Sequence, residues 1–161
     1  MAGGGDDPLH QRVALGFRVG AHVDVSELPP GSLLVFPLVV ADDDQQTLIQ
    51  LTNTSNSQVS AQCYYVRFRG GSQSRVGFSA VLPRQTPLAW SVGAGRTYTV
   101  TPNFGSPFQV RIPPAPADFR GELVCVETDE SGFFLPGNHL VGTATTKTVA
   151  TSDIAAYTAA S

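Results

Sequence analysis

The sequence predicts an all-β protein, a two-sheet antiparallel sandwich preceded by a flexible N-terminal arm. Three observations carry this. Apolar and polar residues alternate with period two over several stretches, as in Val59-Ser60-Ala61-Gln62-Cys63, and that period marks a strand with one buried face. Turn-forming residues recur at roughly 8–12-residue spacing, the pattern of sandwiches and barrels. No long stretch shows the i, i+3, i+4, i+7 apolar spacing of a capped amphipathic helix.

Residues 1–31 carry scattered apolar positions and end in Glu27-Leu28-Pro29-Pro30-Gly31, a strong breaker. They are read as the arm, with one short strand at Val13–Val25, and residues 32–161 as the sandwich. Leu33–Val40 is an apolar run too short for a core helix. Pro37 removes a ladder donor, so this strand is an edge or is bulged there. After the polar turn Ala41–Gln45, Thr47–Asn53 and Val59–Phe68 read as a strand pair joined by Thr54-Ser55-Asn56-Ser57-Gln58, residues that bond their own backbone in turns. Val59, Ala61, Cys63 and Tyr65 fall on one face of the second strand and Tyr64, Val66 and Phe68 on the other, which makes it a central strand.

Gly70-Gly71-Ser72 turns into a strand at Val76–Leu82. Pro83 and Pro87 break the chain before Leu88–Val92, a short strand or buried crossover in which Trp90, the only tryptophan, plugs the core. Gly93-Ala94-Gly95 turns into Thr97–Thr101. Residues 102–118 hold five prolines and one strand, Phe108–Ile112. Alternation returns at Phe119–Thr128, with Phe119, Gly121, Leu123, Cys125 and Glu127 on one face and Val124 and Val126 on the other. A turn region with Phe133-Phe134-Leu135 follows, and Leu140–Val149 and Ile154–Ala160 close the domain.

A chain of 161 residues is about one domain and buries roughly two-thirds of its unfolded surface. Charged residues are only 14%, against about 25% in typical soluble domains, so Ser, Thr, Gln, Asn, Gly and Pro build much of the surface. Net charge is -3 and no basic stripe exists, so the electrostatic drive toward nucleic acid is missing. Arg67, Arg69 and Arg75 read as a solvated hairpin end. No run of about 18 apolar residues offers a membrane span. The opening Met-Ala-Gly-Gly-Gly-Asp-Asp lacks the charged and apolar regions of a secretory signal. The ordered-looking residues to Ser161 favour a piece excised from a longer chain.

His10, His22 and His139 have no second His or Cys at metal-ligand spacing. A nucleophile elbow and a phosphate loop are both missing, and Gly93-Ala94-Gly95-Arg96 lies in no βαβ unit. No enzyme, cofactor or resident metal is therefore expected. One loop, Asp42-Asp43-Asp44, is a candidate for Ca²⁺, joined by Asp129-Glu130 if both loops lie at the same end of the sandwich. Tyr64, Tyr65, Phe68, Trp90 and Tyr98 offer rings for a glycan-binding face, though period two splits them between faces.

Thr47-Leu48-Ile49-Gln50-Leu51-Thr52-Asn53-Thr54-Ser55, with Val59–Val66 after it, resembles the paired strands of bacterial immunoglobulin-like modules. Phe119–Val126 and Gly137–Gly142 are similar to segments of uncharacterised secreted bacterial β-sandwich proteins. The likeness spans roughly residues 32–150. Trp90 lies 27 residues after Cys63, where antibody-type domains place it about a dozen after. The resemblance implies an immunoglobulin-like sandwich in an extracellular or cell-surface setting and transfers no functional residue. It also implies that Cys63 and Cys125 face each other across the inter-sheet gap as a disulfide; two free buried thiols remain the alternative. The function expected is that of a non-catalytic structural or interaction module of an exported bacterial protein, a spacer, adhesive or assembly subunit. Its partner is a protein, or a second copy, joined at the edges formed by Leu33–Val40 and Ile154–Tyr157. The alternative is a glycan-binding sandwich.

Overall fold

The computed structural model describes residues 30–69 and 72–161, and among these the alternating sequence becomes ten antiparallel strands with no helix. They are β1 (Leu33–Ala41), β2 (Gln45–Asn53), β3 (Val59–Arg69), β4 (Ser72–Leu82), β5 (Pro87–Ser91), β6 (Arg96–Val100), β7 (Phe108–Ile112), β8 (Phe119–Thr128), β9 (Leu140–Thr148) and β10 (Ile154–Thr158). The expected arm and its Val13–Val25 strand lie outside the described residues. Gly31 already belongs to the sandwich, because it exchanges backbone hydrogen bonds with Leu140 at 2.8 and 3.0 Å.

Eight strands hydrogen-bond in the order β10-β9-β2-β1-β8-β3-β4, with β5 on the other side of β2. Between β1 and β2 only Ala41 and Gln46 pair. The sheet folds at that corner and lays β1-β8-β3-β4 over β5-β2-β9-β10. Contacts across the gap show the two layers. The Trp90 indole N–H on β5 donates to the Tyr65 hydroxyl on β3 at 2.8 Å, and the Phe78 ring on β4 meets Trp90 edge-on at 6.1 Å. β6 and β7 form a separate hairpin.

The core faces are those that alternation assigns. Val59, Ala61, Cys63 and Tyr65 of β3 are buried against Phe119, Leu123 and Cys125 of β8 and against Ile49, Leu51, Leu88 and Trp90 of the facing layer. Trp90 is 2% exposed, the core plug expected. Its polar N–H is satisfied by Tyr65, so neither group carries the cost of an unmet buried hydrogen bond.

Two expectations need correction. β2 and β3 do not pair: β2 pairs with β9 and β5, and β3 with β4 and β8. Both strands turn an apolar face to the same core, so they bury it best from opposite layers, and the 54–58 segment is a crossover. Asn53 holds that crossover, its buried amide donating to the carbonyls of Ser57, Leu82 and Pro83 at 2.7, 3.2 and 3.1 Å. The second correction is the disulfide. Cys63 and Cys125 are bridged, but they are register partners on adjacent strands of one layer, with Cα atoms 4.1 Å apart. The bridge runs along the sheet, on its core face, and does not span the gap.

Pro37 does produce the bulge: the β1–β8 register slips between Phe36 and Val39. The outer side of β1 is not open, however. Val35 exchanges two backbone hydrogen bonds with Ala160 at 2.8 and 2.9 Å. Beyond the proline, the Tyr157 hydroxyl accepts from the Leu38 N–H and donates to its carbonyl. β10 does end the eight-stranded order, as an edge strand.

Two variants test this packing. The bridge closes a 62-residue separation, so Cys63→Ala with Cys125→Ala lowers unfolding free energy by about 4 kcal/mol on the chain-entropy account, read from denaturant midpoints. A Cβ at Gly142, buried on β9, runs into the Phe36 ring and comes within 3.2 Å of Leu34 Cδ1. Gly142→Ala is therefore expected to cost roughly 1–3 kcal/mol as overpacking; an unchanged melting temperature would contradict the cross-gap packing.

Candidate interaction surface

The acidic loop is occupied by its own turn. Asp42 Oδ1 accepts from the backbone N–H groups of Asp44 and Gln45 at 3.0 and 2.7 Å, an Asx turn that closes the β1–β2 hairpin. Asp129 does the same at its own turn, accepting from Ser131 and Phe133 at 2.9 Å each. The two loops do not meet. Ala41 pairs with Phe119 at the start of β8, whereas Asp129 follows its last residue, Thr128. A ten-residue strand separates them by roughly 30 Å, so the joint Ca²⁺ arrangement does not form.

Of the histidines, His10 and His22 lie outside the described residues. His139 has a partner that the motif search passed over. Glu127 is fully buried on the core face of β8, and its Oε1 is hydrogen-bonded to His139 Nδ1 at 2.7 Å while Oε2 accepts from the His139 backbone N–H at 3.1 Å. The His139 carbonyl accepts from both the N–H and the hydroxyl of Thr54 at 2.8 and 3.1 Å. Ser32 Oγ accepts from the Asn138 N–H at 2.7 Å. A Cβ at Gly137 would collide with the Glu127 carboxylate and the His139 ring. The two bonds tie the 137–139 turn to the end of β8. Glu127 was legible only as a carboxylate on an apolar face; its partner lies in a turn with no periodicity to read.

The proposed aromatic face is dispersed. Tyr65 and Trp90 are core residues, and the Phe68 side chain lies outside the described part. Tyr98 is half-buried, its hydroxyl accepting from the Val81 N–H and donating to the Val81 carbonyl, both at 2.9 Å. Tyr64 lies under the Arg75 guanidinium, 5.6 Å from its centroid. Arg67 is not simply solvated: it stacks on Phe119 at 5.2 Å and donates to the carbonyls of Ala117 and Asp118.

The exposed rings are instead phenylalanines. Phe104 is 94% exposed and Phe133 72%, and Phe108 and Phe134 are also exposed. Phe104 and Phe108 line a groove of about 450 Å³ with Val81 and Glu130. Val81 and Phe108 continue into a second groove of about 710 Å³ between β4 and β7, walled by Gly77, Ser79, Val110 and Arg111. The β4–β7 flank thus brings two grooves and two exposed phenylalanines together. No family model, curated protein or solved structure matches the chain. No helix among the described residues is long and apolar enough to cross a membrane.

Three tyrosines set an alkaline limit. Burial pushes the Tyr65 hydroxyl up to about 12, partly offset by the Trp90 hydrogen bond. Burial likewise raises Tyr157 to about 12 against its bond to the Leu38 backbone, and raises Tyr98 against its Val81 bond and the nearby Arg96. The unfolded chain loses these protons first, near pH 10, so stability is intact below that pH and falls between about 10 and 12. Urea midpoints taken across this window should drop, and the tyrosinate absorbance of Tyr65 should rise only with unfolding. Tyr65→Phe with Trp90→Phe removes the Tyr65 contribution to the slope.

Proposed function

We propose that the chain is a non-catalytic structural or interaction module of an exported bacterial protein, a spacer, adhesive or assembly unit that joins a protein partner at an open strand edge. The observation that carries this reading is the β4–β7 flank, where an edge strand, two grooves and exposed phenylalanines coincide. A buried disulfide supports an oxidising, extracytoplasmic setting. The strand order supports an immunoglobulin-like reading. Immunoglobulin sheets run A-B-E-D and C-F-G; β1, β8 and β3 follow one another as B, E and D, and β2, β9 and β10 as C, F and G. The in-sheet disulfide is the departure, since the antibody-type bridge joins B to F across the gap. On this correspondence β4 to β7 are an insertion between D and E. The flank that carries the grooves is therefore the part added to a shared scaffold, where function is expected to reside.

A glycan array and site-directed photocrosslinking test the reading together. The array is expected to stay at background. A photoreactive side chain at Phe108 should yield discrete protein adducts with an envelope fraction, and one at Lys147, exposed on β9, should yield none. Saturable glycan binding that disappears in Phe104→Ser with Phe108→Ser would transfer the flank to the glycan-binding alternative.

A further inference from the structure

We propose that β10 joins two copies of the chain, edge to edge and antiparallel, about a two-fold axis at Ala155. β10 ends the layer β5-β2-β9-β10 on the side away from the β4–β7 flank, so this inference concerns a second surface and goes beyond the flank reading. The Asp153 carbonyl accepts from the Thr148 N–H on β9, and the Ala159 N–H donates to the Gly142 carbonyl, both at 2.9 Å. Residues 153 and 159 thus turn backbone groups toward β9. In an antiparallel ladder the direction reverses at each residue, so Ile154, Ala156 and Thr158 turn theirs outward. Ala160, the next in this series, does so visibly: its N–H and C=O reach Val35 of β1. Among the described residues nothing bonds the outward groups of Ile154 and Ala156.

This stretch is short and unguarded. Ile154 is 55% exposed, and Ala155 and Ala156 are exposed as well. Ala155 lies on the inner side of β10 with Tyr157, so its exposure means that no described strand covers the rim there. β1 reaches β10 only beyond Ala156, through Tyr157 and Ala160. Natural edge strands are blunted by charge, proline or a bulge, and Ile154–Thr158 has none of these. Symmetry makes a second copy the occupant. Pairing about Ala155 sets Ile154 opposite Ala156 of the second copy, and Ala156 opposite its Ile154. The same two outward residues therefore supply both sides of the contact, as an isologous interface requires. Each pair exchanges two hydrogen bonds, four in all. Ala155 meets its own counterpart at the axis, where a non-hydrogen-bonded pair brings Cα atoms to about 4.5 Å and a methyl group leaves room. The register stops before Thr158, where β1 closes in.

So small a contact makes a weak interface. Sedimentation velocity of the full chain between about 1 µM and 1 mM is expected to show a monomer–dimer equilibrium, with the Ile154 and Ala156 amides gaining hydrogen-exchange protection as concentration rises. Ala156→Pro deletes an outward donor and leaves the β9 ladder intact. By symmetry two of the four bonds go, and dimerisation weakens about a hundredfold, tenfold for each. Ala155→Lys and Ala155→Glu each set like charges against each other at the axis and weaken the dimer about fivefold, whereas an equimolar mixture of the two restores it. That rescue separates a two-fold seat at Ala155 from a loss of folding. A monomer throughout the range overturns the proposal. So does a dimer that Ala156→Pro and both charge variants leave unchanged, because its seat lies elsewhere. Protection of Ile154 and Ala156 that does not depend on concentration also overturns it, by giving the edge to another part of the same chain. Crosslinking at Phe108 reads the opposite side of the sandwich, so failure of the edge leaves the flank reading standing.

Discussion

A sandwich of two open sheets has strand edges, and every outward N–H and C=O along them needs a partner or water. That requirement shapes much of what is specific here. The outer side of β1 is closed by the chain's own C-terminal residues through Val35 and Ala160, until Pro37 removes the next donor and the ladder cannot continue. At that point Tyr157 supplies a hydroxyl that satisfies both groups of Leu38. Tyr98 repeats the device on β4, satisfying both groups of Val81. On β5 the Arg96 guanidinium donates to the Ala89 carbonyl at 2.6 Å. One hydroxyl can serve an N–H and a C=O at once because it is both donor and acceptor. Three separate side chains thus satisfy outward backbone groups on three strands.

The same economy governs the core. Tyr65 touches Phe78 at 5.1 Å and Phe119 at 5.6 Å and takes the Trp90 N–H across the gap. Its ring gives apolar area and its hydroxyl fixes where β5 sits over β3. Cys63, two residues away on the same face, ties β3 to β8. The middle of the sandwich is therefore held by one covalent link within a layer and one hydrogen bond between layers. The Glu127–His139 pair adds a second tie at the end of β8.

Strand boundaries were legible because they rest on local alternation and turn residues. Phe108–Ile112 and Phe119–Thr128 match the expected limits, and the buried face of β3 is the one that period two selects. Pairing was not legible, because alternation says which face is buried and not which strand lies alongside. Thr47–Asn53 and Val59–Phe68 look like a hairpin from their spacing, yet Asn53 sends the chain to the other layer. For the cysteines the shared apolar face was readable, but two inward residues can be neighbours in one sheet or opposites across a gap. The flank escaped for a further reason. Phe104 and Phe108 sit in a proline-rich stretch without periodicity, and Gly77 reads as an ordinary strand glycine.

The rigidity of β3 keeps β4 from fraying. β4 is held along all of its length by β3, β3 is tied to β8 by the disulfide, and Tyr98 pins the Val81 end. The ring of Tyr64 lies 3.1 Å from where a Gly77 Cβ would be, so the aromatic fills the face beside the glycine. β7 runs beside this stretch without pairing to it, and Phe108, Val110 and Arg111 line the groove between them.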